Sequence, residues 1–149
     1  MRLNKLNLLK IVLCLGALYY LTGAFAHFFG LTLFPFYDSR LYTPYHDSIL
    51  GLVGMVIALF LLAIAKNPVK NIDTLNIVII CAILATIFSF AIIWKVDFAA
   101  LGAPDKKIQT VAEGILGVIF VVVLLWLYPR QKDINGNKTE INRNKVEIK

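Results

Sequence analysis

Charge is scarce in this chain: Asp, Glu, Lys and Arg together make up 16% of its residues, against about 25% in an ordinary soluble domain. With 59% hydrophobic residues and a mean hydropathy of +0.76, water is not its main solvent. Chemical signatures are equally sparse. The sequence has no phosphate loop, dinucleotide fingerprint, nucleophile elbow or paired-histidine zinc motif, which removes the enzyme classes those motifs mark. Cysteine occurs twice, as Cys14 and Cys81, each about a third of the way into an apolar block. The pair reads as two reduced thiols at lipid depth, with a metal or redox pair as the alternative.

What the sequence does have is four apolar blocks: residues 8–29, 49–65, 75–96 and 108–128. Each is close to the roughly 20 residues a helix needs to cross the hydrocarbon core. The fold class predicted is all-α, an integral membrane up-down four-helix bundle occupying residues 1–130. Asp73 or Thr74 is a suitable N-cap for the third helix. A basic leader and Ala24-Phe25-Ala26 imitate a signal peptide, but the apolar character runs on through Phe28, Phe29 and Leu31, which favours a retained helix. Residues 131–149 are rich in Asn, Lys and Glu without apolar periodicity and read as a disordered polar tail.

The net charge of +6 is a topology signal, not a nucleic-acid footprint, because Lys and Arg cluster at block ends and in the tail. The leader, the turn between the second and third blocks and the segment from Arg130 onward hold eleven of the fifteen, and Arg40, Lys95, Lys106 and Lys107 hold the rest. Positive charge marks the cytoplasmic side, so both termini are expected inside a cell membrane. The sequon at Asn137 is then out of reach of glycosylation.

Helix association in lipid depends on close packing and buried polar contacts. Gly16, Tyr20, Gly23, His27 and Gly30 recur at alternating spacings of four and three, which puts them on one inward stripe of the first helix. Gly51, Gly54 and Ala58 do the same for the second helix, Ala82, Ala85, Thr86 and Ser89 for the third, and Gly114 and Gly117 for the fourth.

Glu113 is the most informative residue, a carboxylate inside the fourth helix where an unpartnered charge is costly. Gln109 and Gly117 share its face. His27 is its natural partner from the same end of the first helix, giving either a proton-linked or ligand-binding site, or a polar clasp that fixes helix register. The loop over this end is unusually aromatic, with Phe34, Phe36, Tyr37, Tyr42 and Tyr45, and reads as an interfacial plug or the lid of a pocket. Asp38, Arg40, His46 and Asp47 add polar groups from that loop. His27 and His46 could ligate haem axially, yet no metal-ligand spacing recurs and no cofactor is expected; haem and quinone stay as alternatives.

The runs Tyr19-Tyr20-Leu-Thr-Gly23, His27-Phe-Phe-Gly30, Phe34-Pro-Phe-Tyr37 and Pro44-Tyr-His-Asp47 resemble the small prokaryotic four-helix membrane proteins called BphX-like and, more distantly, DoxX-like proteins. The resemblance implies a compact bundle. BphX-like proteins have no assigned activity as a family, and DoxX-like proteins include membrane partners of redox enzymes. The leading expectation is a non-catalytic oligomeric or accessory membrane subunit, with membrane lipid as a partner. A small-molecule or proton-coupled transport or binding protein is the alternative.

Overall fold

The computed structural model describes residues 4–33, 37 and 39–130. The expected tail, 131–149, and the candidate residue Asp38 lie outside the described residues. Four helices follow in order: α1 (Lys5–Phe29), α2 (Pro44–Lys66), α3 (Ile72–Lys95) and α4 (Lys106–Leu127), with a single 3-10 turn at Ser39–Leu41. At about 1.5 Å per residue, their 22 to 25 residues cover a hydrocarbon layer about 30 Å thick.

Helix ends depart from the apolar blocks because backbone groups near a membrane must find partners even where side chains turn polar. The largest difference is α2, which starts at Pro44 and not at Ile49. Pro44 occupies the first helical position, where its missing N–H costs nothing and its fixed φ suits a helix. His46 and Asp47 are therefore helical residues, not loop residues. The N-cap of α3 is Asn71, not Asp73 or Thr74, and its amide donates to the carbonyls of Ala63 and Asn67 across the short turn.

Contacts between α1 and α2 run in opposite senses along the two helices. A β-carbon added at Gly51 would lie 3.0 Å from the carbonyl oxygen of Ala24, and one at Gly54 would lie 3.3 Å from that of Tyr20. Between α3 and α4, Gly117 lies against Thr86 and Gly114 against the ring of Phe90. Small residues mark the close approaches, as hydrocarbon-phase packing requires. Gly23 is the exception: a β-carbon there would meet nothing within 4 Å. It faces a cavity, so the inward stripe of α1 is not a continuous contact seam.

The dry core sits toward the end of the bundle that carries the N-terminus of α1. Leu9 and Leu13 meet Leu61 and Ile64 there, with Leu75, Leu124 and Leu127, all fully buried. The ammonium of Lys5 stands 4.8 Å over the ring of Trp126, and Tyr128 donates its hydroxyl to Asn76 at 2.7 Å, fastening the same end. Outward faces are apolar. Leu18, Phe25, Leu59, Ile77, Phe88 and Ile115 are each at least half exposed, and α3 buries only Leu75 and Ile79. Such a surface belongs in lipid: four helices long and apolar enough to span make the chain a multi-pass membrane protein.

Replacing Gly51 by Leu is expected to weaken the α1–α2 contact by about 1–3 kcal/mol, the cost of overpacking. Replacing Gly23 by Ala, which meets open space, should leave stability unchanged or raise it by up to about 1 kcal/mol through helix propensity. Steric-trapping measurements of unfolding in bicelles would read both signs.

Candidate functional site

The end of the bundle opposite the dry core is organised by how α1 stops and α2 starts. Gly30 takes a left-handed conformation at φ 63°, its N–H donates to the carbonyl of His27, and the N–H of Leu31 donates to Ala26. This double closure ends α1 one turn beyond His27 and fixes that side chain at the helix terminus. Tyr42 lies against Gly30, where a β-carbon would sit 3.1 Å from the ring.

At the start of α2, Asp47 is 5% exposed and satisfies three donors from three stretches of chain. Its Oδ2 accepts the backbone N–H of Thr43 at 2.6 Å, and its Oδ1 accepts the hydroxyl of Tyr37 at 2.9 Å and Nδ1–H of His27 at 2.7 Å. An ionised carboxylate only accepts, so His27 carries a hydrogen on Nδ1, and its Nε2 lies on the opposite edge of the ring. The rings of His27 and Tyr37 lie 4.3 Å apart, centroid to centroid.

Glu113 is placed differently from the expectation that it pairs with His27. His27 takes Asp47 as its hydrogen-bond partner, and Glu113 makes a looser ion pair with Lys106 at 3.8 Å, two turns earlier on α4. Helical periodicity stacks those two positions on one face, and the Lys stem lets its ammonium reach back. Lys106 also stands 5.9 Å over the ring of Tyr37. His27 and Tyr19 share a cavity wall with Glu113.

Two cavities meet at Glu113. One, of about 570 Å³, lies along α1 and α2 beneath Tyr37 and is lined by Gly23, His27 and Gly54 among others. The second, of about 470 Å³, lies among α1, α3 and α4 and is lined by Gly16, Thr86, Ser89 and Gly117 among others. Glu113, Tyr19, Tyr20 and Leu15 line both. The walls are mostly aliphatic, with a few convergent polar groups, which is the usual make-up of a small-molecule site.

The other candidates scatter. Tyr20 stands at the junction of the cavities, its ring edge-on to Tyr19. Gln109, one turn before Glu113, is buried, and its Oε1 has no donor among the described residues. Arg40 pairs with Asp105 at 3.4 Å on the surface, away from the cavity walls. His46 is exposed in the first turn of α2, its ring 5.5 Å from that of Tyr45. Cys14 and Cys81 are free and exposed on different helices. Tyr37 and Lys106 belong to the site but were not singled out in the sequence. The two-turn spacing of Lys106 and Glu113 was the available signal for Lys106; Tyr37 stood out only as one ring of the aromatic loop, with nothing to single out its hydroxyl as a partner of Asp47.

No protein-family model, curated protein or solved structure matches the chain.

A double-mutant cycle should separate the two pairings that involve His27. His27→Ala with Asp47→Ala is expected to show a coupling of about 1–3 kcal/mol in reversible unfolding, as for groups in one hydrogen-bond network. His27→Ala with Glu113→Gln should be additive within about 0.5 kcal/mol. The reverse ranking would remove Asp47 as the residue that orients His27.

Proposed function

We propose that the chain is a binding or transport protein for a small amphipathic molecule, held in the outer half of an up-down bundle whose termini both face the cytoplasm of a cell membrane. The single observation that carries this reading is the convergence of two cavities on Glu113, Tyr19 and Tyr20. A bundle that served only to pack would fill that half as it fills the other. Polar atoms inside hydrocarbon are costly unless they are used, and this half concentrates a carboxylate, a histidine held by Asp47 and tyrosines where an apolar molecule could enter between helices. The reading calls on no cofactor. The charge bias toward the ends that carry the termini supports the orientation, and kinship with BphX-like proteins, on the motifs quoted above, is part of the same proposal.

A second reading, an oligomeric or accessory subunit, is favoured by α3, whose outward face is apolar almost throughout. Cys81 is exposed on that helix, and mild oxidation in native membranes would link two copies through it if α3 met α3. A chain that stays uncrosslinked would favour lipid as the cover.

Native mass spectrometry from lipid nanodiscs is expected to show the protein with a retained small molecule. Gly23→Phe, which projects a ring into the open space at that position, is expected to abolish the adduct without loss of folded protein. An adduct that survives Gly23→Phe would contradict the site. A C-terminal fusion to a fluorescent protein that does not mature when exported unfolded should fluoresce in bacterial cells, and a dark fusion of full length would contradict the orientation.

A further inference from the structure

The charge at the cavity junction is of one sign. His27 is held through Nδ1 by Asp47 at 2.7 Å. Glu113 has no hydrogen bond among the described residues, only the 3.8 Å ion pair with Lys106. Among the described residues, neither cavity has a Lys or Arg in its wall. Glu113 is thus the one Asp, Glu, Lys or Arg among the described residues that line the two cavities, and it stands in an apolar surround. Tyr20 and Tyr37 add ring faces with negative quadrupoles. An anionic headgroup would meet like charge.

Lys106 gives a precedent for a cation beside this carboxylate. The ammonium of Lys106 stands between the carboxylate of Glu113 and the ring of Tyr37, at 3.8 and 5.9 Å. An alkylammonium is thus already recognised by the pairing of carboxylate and tyrosine face, through a side chain whose stem is a short hydrocarbon. We infer that the molecule bound in these cavities is a lipophilic ammonium, its cationic head at Glu113 beside His27 and its apolar body along the α1–α2 wall, in competition with Lys106. The inference rests on the reading of the cavities as a binding site and adds the charge and class of the ligand.

Saturable binding of radiolabelled dodecylammonium, dodecanol and dodecane-1-sulfonate to the protein in phosphatidylcholine nanodiscs, counted against empty nanodiscs, tests it. The ammonium is expected to bind about tenfold more tightly than the alcohol, with the sulfonate weakest. Glu113→Gln should abolish the preference for the ammonium while leaving alcohol binding in place. Lys106→Met should strengthen ammonium binding by about threefold, because the internal competitor is gone. Equal binding of the three probes, a preference for the sulfonate, or weaker ammonium binding in Lys106→Met would overturn the inference and leave the binding site standing. If no probe binds saturably, the binding-site reading falls with it.

Discussion

The carboxylate of Asp47 ties together the end of α1, the aromatic connection and the start of α2, through His27, Tyr37 and Thr43. In a hydrocarbon surround, helices gain little from burying apolar area against one another, since lipid tails are equally apolar. A buried, charge-assisted hydrogen-bond hub is therefore among the few interactions that can fix how two helices enter and leave the membrane. The register it sets between α1 and α2 agrees with the close approach of Gly51 and Gly54 to the backbone of α1. It also decides which nitrogen of His27 is left for other work.

The two halves of the bundle follow different rules. Toward the termini, Leu and Ile side chains interlock and leave no polar group in the core cluster. Toward the aromatic connection, Gly23 has open space where a side chain would be, and Tyr19, Tyr20 and Glu113 stand at the edges of two cavities.

Much of this was legible in the sequence, and the misses have physical causes. Apolar run length sets the four helices, because hydrocarbon thickness imposes a minimum that few soluble segments meet. The small residues Gly51, Gly54, Gly114 and Gly117 mark real approaches. The start of α2 was hidden, because Tyr45, His46, Asp47 and Ser48 break the apolar run that was being followed. The Thr43-Pro44 step, an N-cap followed by Pro at the first helical position, was the signal available there. With Asp47 assigned to a loop, His27 was left to Glu113 as the nearest acidic residue at that depth. Seven-residue spacing placed Gly23 correctly on the inward face of α1, but periodicity reports direction and not what lies in that direction. An inward glycine can face a helix or a void, and no sequence pattern tells the two apart.

Chemical reactivity at Gly23 tests the open half of the bundle most directly. In a chain with Cys14 and Cys81 replaced by Ser, Gly23→Cys should react readily with N-ethylmaleimide in intact membranes, because a thiolate forms only where water and polar groups reach it. Ala17→Cys in the packed seam and Phe25→Cys against lipid should stay inert under the same conditions. A Gly23→Cys variant as unreactive as those two would mean that α1 faces a closed, dry contact there and that the cavity does not exist.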